Sequence, residues 1–173
     1  AREREQALAD AAVRDYQTGL LNRRGLVAAS ETINREDAPL AVYMFDLDNL
    51  KYINDAFGHM EGDRLIQEFS AILRTYTRGS DLVSRYGGDE FVVIMKRMWS
   101  EESARKKGDE ICRRIRGIRF GDETSATCSV GVAMWDGNKK MEEMLERADR
   151  ALYCAKRASK GGCCLWRDHT DEM

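Results

Sequence analysis

Apolar residues recur along the chain at two spacings, one typical of strands and one typical of helices. Short runs that are apolar throughout, or that alternate with polar residues, predict strands, because a buried strand hides one or both of its faces from water. These strand-like runs cover 40–45, 81–86, 91–96, 125–135 and 163–166. Gly87 and Gly88 separate the second run from the third, and because glycine tolerates positive φ they predict a tight hairpin there.

Apolar residues three or four positions apart predict helices, each of which buries one stripe of its surface. The predicted helices cover 22–36, 50–57, 61–76, 104–118 and 141–155. Helices and strands alternate around a central hairpin, so we predict an α/β fold of the α+β type. The expected architecture is a mixed central sheet flanked by helices, with one face covered, and it resembles a ferredoxin-like palm. Neither a G-x-G-x-x-G nor a G-x-x-x-x-G-K-[ST] nucleotide loop is present.

Residues 1–14 predict a helix that has little to bury, since Leu8 and Val13 are its only large apolar residues. An isolated helix of this length is marginally stable. Two interpretations stay open: a linker helix at the end of an upstream coiled coil, or an ordinary first helix. We expect residues 15–173 to form one domain, because a chain of 173 residues leaves little room for a second.

Composition narrows the class of protein. The chain is 43% hydrophobic and 34% charged, which is enough apolar material to bury a core. Its 28 Lys and Arg against 30 Asp and Glu give a net charge of −2, and no apolar run is long enough to cross a bilayer. Five cysteines without C-x-x-C spacing indicate structural thiols rather than a zinc site. We therefore expect a cytoplasmic domain with no nucleic-acid partner and no direct membrane contact.

Acidic residues stand at the end of the first strand and in the hairpin. Asp46 and Asp48 leave the strand, and Asp89 and Glu90 occupy the hairpin tip. If the hairpin pairs beside the first strand, Asp46 and Asp89 come close together. Adjacent carboxylates repel each other unless a divalent cation lies between them, and oxygen ligands favour Mg²⁺ or Mn²⁺. From the residues alone a second interpretation stays open, in which these are solvated loop acids.

Five segments, in order along the chain, resemble the motifs of one family. The segment 85–91, RYGGDEF, resembles the signature hairpin of the GGDEF family of diguanylate cyclases. The other four segments are DYQTGLLNRR at 15–24, FDLDNLKYINDAFGHMEGD at 45–63, SVGVA at 129–133 and ADRALYCAK at 148–156. By this resemblance, which extends over nearly the whole chain, residues 15–173 are identified as a GGDEF domain.

The resemblance implies a reaction. Two GTP molecules would condense into cyclic di-GMP with release of pyrophosphate, across an antiparallel homodimer in which each domain holds one GTP. Asp46, the backbone carbonyl of Leu47 and Asp89 match the family's ligands for Mg²⁺ or Mn²⁺. Glu90 matches the residue that helps to deprotonate the 3′-hydroxyl or binds the second metal ion. The implied catalytic residues are therefore Glu90, Asp89 and Asp46.

The same resemblance implies the substrate contacts. Asn54 and Asp63 match the guanine contacts, and an Asp carboxylate can accept from guanine N1–H and N2–H₂, which adenine does not offer. From the residues alone, the interpretation of both as helix caps would be preferred. The remaining implied contacts are Leu50, Lys51, Gly87, Gly88, Lys156 and Lys160. Without the resemblance, the last two would be interpreted as the solvated basic end of a helix.

One regulatory motif and three departures complete the comparison with the family. Arg78 and Asp81 match its R-x-x-D inhibitory site for cyclic di-GMP, although in isolation they form an ordinary solvated pair. Gln17 replaces the Leu of D-x-L-T, Leu50 stands where Phe is common, and 159–161 replaces G-[RK]-N. We expect Gln17 to weaken N-terminal packing and signal coupling and 159–161 to alter pyrophosphate affinity, without abolishing activity.

Two other functions stay open. One is a catalytically weak sensor domain that binds GTP or cyclic di-GMP, and the other is a dimerisation domain whose acids are solvated. Sensor domains of this family usually lose signature acids, whereas this chain keeps Asp46, Asp89 and Glu90. The resemblance also implies an upstream sensory domain in the parent chain, which could be membrane-anchored.

Overall fold

A five-stranded mixed sheet forms the centre of the fold, which the computed structural model describes for residues 1–158 and 161–167. The strands are β1 (Leu40–Leu47), β2 (Leu82–Arg85), β3 (Glu90–Met95), β4 (Arg119–Phe120), β5 (Thr124–Ser125), β6 (Cys128–Trp135) and β7 (Cys163–Leu165). In the sheet order β2-β3-β1-β6-β7, the first four strands pair antiparallel and β7 pairs parallel with β6. The order β6-β1-β3-β2 is that of a ferredoxin-like unit, so the predicted fold class is confirmed. Strands β4 and β5 form a separate small hairpin.

Six helices accompany the sheet in the described part of the chain. They are α1 (Arg2–Val13), α2 (Arg23–Ser30), α3 (Leu50–Phe57), α4 (His59–Thr75), α5 (Glu101–Ile115) and α6 (Met141–Ala158). Helix α2 ends at Ser30, earlier than the predicted position 36, because a 3₁₀ turn follows it. In that turn the Asn34 side chain accepts from the Glu36 backbone amide, and the Asp37 side chain accepts from the Asn34 backbone amide. None of the helices described is long and apolar enough to span a bilayer.

Helices cover both faces of the sheet. On one face, α3, α4 and α5 pack over an aromatic cluster in which the rings of Phe69 and Phe91 meet edge-on, with centroids 5.0 Å apart. On the other face, Leu26 of α2 and Leu152 of α6 belong to the same buried apolar cluster as Val42 of β1. The prediction of one covered face is therefore wrong. Residues 40–45 of β1 are apolar at every position rather than at alternate positions, which is typical of a strand buried on both faces.

The close approach of α6 to β6 depends on Gly131. A Cβ atom at this position would lie 2.1 Å from both the carbonyl oxygen of Ala148 and the amide nitrogen of Leu152. Without that side chain, α6 lies directly on the sheet. Its last turns therefore come close to the end of β1, where Lys156 contacts Asp46.

Several strand boundaries differ from the prediction. Strand β1 extends through Leu47, whose amide donates to the Asp89 carbonyl at 2.9 Å, so that Asp46 lies within the strand rather than after it. Strand β3 begins at Glu90, directly opposite Asp46. The predicted run 125–135 is divided between the small hairpin and β6.

Helix α1 buries none of its own residues, and Leu8 on it is 66% exposed. Its C-terminal end is attached to the domain through Asn22, which donates from its amide to the Val13 carbonyl and from its side chain to the Ala12 carbonyl. The low apolar content of this segment accounts for the exposure of the helix. Its role as a linker stays a prediction.

Candidate active site

Three acidic residues lie where β1 ends beside the hairpin. Asp46 and Glu90 are directly opposed in the antiparallel pair, so their side chains lie on the same face of the sheet. Asp89 precedes Glu90 in the turn, and its charge acts on the Asp46 carboxylate. Strand pairing therefore brings together acids that are more than 40 positions apart in sequence.

Asp46 is largely buried and its two oxygens differ. The side chain is 13% exposed, Oδ2 contacts the Nζ of Lys156, and Oδ1 is buried with no hydrogen-bond partner in the described part of the chain. Burial raises the pKa of Asp46 to about 6, with a contribution from Asp89 in the same direction and an opposing one from Lys156. Burial lowers the pKa of Lys156, but the hydrogen bond and charge of Asp46 together with the charges of Asp48 and Asp89 outweigh it, and that pKa is raised.

A divalent cation fits the pair formed by Asp46 and Asp89. Within the described residues, no three acidic, histidine or cysteine side chains are arranged to hold a metal ion by themselves. The pair nevertheless offers a buried Asp46 oxygen that no described residue hydrogen bonds, and two carboxylates whose repulsion a cation would remove. The Leu47 carbonyl follows Asp46 at the same strand end, and Mg²⁺ usually keeps further positions for water and phosphate. The residues present therefore fit the ion, provided that nucleotide and water complete its ligands.

The hairpin turn leaves space beside its backbone. A Cβ atom on Gly88 would meet nothing within 4 Å, whereas one on Gly87 would lie 2.7 Å from Oε1 of Glu90. Neither glycine has positive φ, so the prediction that the hairpin needs glycine here for a positive φ angle is wrong. The absence of a side chain on Gly87 keeps room for the Glu90 carboxylate and for a ligand against the backbone.

Asn54 and Asp63 lie on two consecutive helices that meet at Gly58. A Cβ atom on Gly62 would lie 1.7 Å from the Oδ1 of Asn54, so the Asn54 amide rests against the Gly62 backbone, beside Asp63. The alternative role of these two residues as caps is wrong. Gly58 is the N-cap of α4, no side chain caps that helix, and Asp63 lies beyond its first turn.

A network of hydrogen bonds joins Asp63 to the hairpin. Gln17 donates from Nε2 to Oδ1 of Asp63 at 2.9 Å, and its Oε1 accepts from Nη1 of Arg85 at 2.8 Å. Arg85 also donates from Nη2 to the Gly88 carbonyl at 2.8 Å and pairs with Asp15 at 3.4 Å. The sequence did not indicate these contacts, although Gln17 was already marked as a departure from the family pattern and Arg85 directly precedes the turn.

The remaining candidate substrate contacts lie on α3 and toward the end of α6. Leu50 is partly buried against the core, and Lys51 is exposed in the first turn of α3. Lys156 is paired with Asp46, so it is not a solvated lysine at a helix end. Lys160 lies outside the described residues. The end of α6 thus lies beside Asp46, and α3 begins four positions after Asp46.

Arg78 and Asp81 form a turn before β2, on a surface cavity that Arg14 and Arg74 also line. The Asp81 side chain is 2% exposed, and its two oxygens accept from the backbone amides of Arg78 and Lys96, each at 2.9 Å. The Arg78 side chain is 62% exposed, lies 3.7 Å from Asp81 and donates to the Lys96 carbonyl. A ligand in this cavity would therefore meet Arg78, whereas Asp81 is engaged by the main chain.

Comparison with known proteins identifies the family to which this fold belongs. The family model described as "Diguanylate cyclase, GGDEF domain" matches residues 12–161. Diguanylate cyclase DosC of Escherichia coli K12 is 35% identical over 161 residues, which are 88% of this chain and 35% of DosC. The GGDEF domain of TpbB (YfiN) from Pseudomonas aeruginosa has a TM-score of 0.80 at 32% identity, covering 92% of this chain and 97% of that one.

A further solved structure has the same fold. The coiled coil and GGDEF domain of DgcB from Caulobacter crescentus, in complex with c-di-GMP, has a TM-score of 0.85 at 24% identity and covers 95% of this chain and 91% of that one. The chain spans about a third of the length of DosC. Because the family model covers most of the chain, the resemblance is confirmed: the chain belongs to the GGDEF domain family of diguanylate cyclases.

Proposed function

We propose that the domain is a diguanylate cyclase, which condenses two GTP molecules into cyclic di-GMP and releases pyrophosphate. The observation that carries this proposal is the position of Asp46 beside Asp89, whose backbone carbonyl accepts from the Leu47 amide, with a buried Asp46 oxygen that has no hydrogen-bond partner among the described residues. Glu90 lies on the same face, directly across from Asp46. The curated relatives that match the chain are named diguanylate cyclases, which supports the same reaction.

Asp46, the Leu47 carbonyl and Asp89 would hold Mg²⁺ or Mn²⁺, with Glu90 beside them. When bound, such a cation neutralises phosphate charge and activates the attacking oxygen. Lys156 would then exchange its contact with Asp46 for the nucleotide's phosphates, together with Lys51 and, by resemblance, Lys160. Phosphoryl transfer requires mainly charge neutralisation and positioning from the protein, which is what these side chains supply.

Asn54 and Asp63 would bind guanine. The Asp63 carboxylate can accept from N1–H and N2–H₂, and a site built around those bonds rejects a base that lacks the donors. Gly62 leaves the room in which the Asn54 amide lies. Leu50 would contribute apolar contact at the start of α3, and Gly87 and Gly88 would let the nucleotide lie against the hairpin backbone.

Each domain would hold one GTP, so a complete reaction needs two antiparallel domains. The 3′-hydroxyl of each nucleotide attacks the α-phosphate of the other, a new P–O bond forms, and pyrophosphate leaves. Glu90 would take the proton from the attacking hydroxyl or support a second cation. Two such steps convert two GTP molecules into one cyclic di-GMP and two pyrophosphates.

Helix α1 would connect this domain to an upstream sensory domain, since it buries none of its own residues and is attached only near its end. We place the reaction in the cytoplasm, where the reducing environment suits an odd number of cysteines. Cyclic di-GMP would also bind at Arg78 and slow the enzyme. In that case R78A should remove the slowing as product accumulates.

The alternative is a catalytically weak sensor domain that binds GTP or cyclic di-GMP. The contact between Lys156 and Asp46 favours this alternative, because the lysine occupies one of the two carboxylate oxygens and offsets the negative charge that would attract a cation.

Incubation with GTP and Mg²⁺ at high protein concentration, followed by nucleotide chromatography, tests the proposal. Formation of cyclic di-GMP would identify an enzyme, and binding of GTP without turnover would identify a sensor. If the protein neither binds nor converts GTP, a dimerisation domain is indicated. D89N should lose the product. D122N, which changes an exposed acid in the turn between β4 and β5, should retain it.

A further inference from the structure

Gln17 lies between the two halves of the proposed site, and it is a position at which this chain departs from the leucine common in the family. Its amide nitrogen donates to Asp63 at 2.9 Å and its amide oxygen accepts from Arg85 at 2.8 Å. A leucine could form neither bond. Gln17 therefore introduces a polar connection between the helix that carries Asp63 and the strand that leads into the hairpin.

The orientation of this amide is set by its two charged neighbours. A carboxylate can only accept and a guanidinium can only donate, so reversing the Gln17 amide would lose both bonds. Bonds of this kind to charged groups are stronger than bonds between neutral groups. Gln17 is thus held at both ends.

The Arg85 side chain is held in place more firmly than the Asp63 side chain. Its side chain is 14% exposed and is held by Asp15 and by the Gly88 carbonyl. Asp63 is the exposed end, and among residues 1–158 and 161–167 only the Gln17 side chain hydrogen bonds to its carboxylate. The restraint therefore acts from Arg85 on Asp63.

We infer that Gln17 is a specificity-determining positioning residue that holds the Asp63 carboxylate ready to accept both guanine donors. The inference rests on the proposed function, in which Asp63 binds the base. Gln17 uses one lone pair of Oδ1 and leaves the other lone pair and Oδ2 for the nucleotide. Fixing a side chain before the ligand arrives reduces the entropy lost on binding.

Loss of this restraint on Asp63 should affect the binding of guanine and of hypoxanthine differently. Guanine donates two parallel hydrogen bonds, which both require the same carboxylate orientation. Hypoxanthine lacks the 2-amino group and donates only from N1–H, a bond that several orientations satisfy. Loss of Gln17 should therefore weaken guanine binding more than hypoxanthine binding, which a general loss of structure would not do.

The test uses calorimetry with Mg²⁺ and two probes, 3′-deoxy-GTP and 3′-deoxy-ITP, which lack the attacking hydroxyl and are not consumed. We expect Q17L to weaken binding of the guanine probe by about three- to tenfold, the loss of roughly one hydrogen bond, and binding of the hypoxanthine probe by less than about twofold. In a D63A background, Q17L should cause no further loss.

Two further variants make the test specific. Q6L removes a similar bond, from Nε2 of Gln6 to Oδ1 of Asp10 at 3.1 Å, in the exposed helix α1, and it should bind both probes like wild type. Q17E keeps an acceptor for Arg85 but places a like charge beside Asp63, so it should lose guanine preference at least as far as Q17L. Both variants at Gln17 should melt within a few degrees of wild type.

The outcomes separate this inference from the proposed function. If wild type prefers the guanine probe and Q17L keeps the same preference, the inference fails alone. Equal losses for both probes in Q17L, or wild-type binding by Q17E, would also contradict it. If wild type binds neither probe, the inference and the proposed function fail together.

Discussion

Gly62 influences the site through the space that it leaves. Alanine should stabilise a helix by roughly 1 kcal/mol relative to glycine, but its Cβ would lie 1.7 Å from Oδ1 of Asn54. Because that atom is at the far end of a side chain, Asn54 can turn away without disturbing the core. We predict that G62A melts within a few degrees of wild type and binds GTP about tenfold more weakly, measured by calorimetry. Unchanged binding would show that Asn54 does not contact the base.

Arg78 and Asp81 should respond differently to substitution. D81A would remove the acceptor of two backbone amides at a nearly buried position, and we predict a loss of about 1–3 kcal/mol in the free energy of unfolding. R78A changes an exposed side chain and should cost less than about 0.5 kcal/mol. Urea denaturation measures both. Equal losses for the two variants would contradict the structural role of Asp81.

Part of the candidate site could be predicted residue by residue. The family motifs indicate Asp46, Asp89 and Glu90 from the sequence, and strand pairing brings the three together. The partner of Lys156 could not be predicted, because Asp46 is 110 positions away and only the packing of α6 brings them into contact. The bonds of Gln17 were missed for the same reason, since they depend on where α4 lies relative to β2.

At the scale of elements, apolar patterns predicted every strand of the central sheet and the hairpin. The pattern did not show that both faces are covered, since a short apolar run is compatible with either arrangement until the helices are placed. Nor did it show where the second helix ends, because the Asn34 side chain closes a local turn there that competes with the helix.

The packing of α6 on β6 makes a prediction about stability. Alanine at Gly131 would place its Cβ 2.1 Å from backbone atoms of α6, which cannot move without displacing the helix. We predict that G131A lowers the free energy of unfolding by more than about 3 kcal/mol, measured by urea denaturation. G62A is its matched control, since the same change there meets only a side chain. A stable G131A would show that α6 can move away from the sheet.

At the scale of the whole molecule, the proposed chemistry needs two domains. One domain contributes one GTP, so dilution should reduce the rate at which each domain forms product. We predict that cyclic di-GMP formed per domain rises with protein concentration and levels off when the dimer is complete, as measured by chromatography over a dilution series. A constant rate per domain would contradict catalysis between two dissociating domains.

The central claim, that Asp46 and Asp89 share a divalent cation that a nucleotide helps to hold, is tested most directly by locating that ion. Crystals grown with 3′-deoxy-GTP and Mn²⁺ would show it by anomalous diffraction. We predict Mn²⁺ bonded to both carboxylates, including Oδ1 of Asp46, with Lys156 turned toward the phosphates. Mn²⁺ bound elsewhere, with Lys156 still in contact with Asp46, would contradict the account.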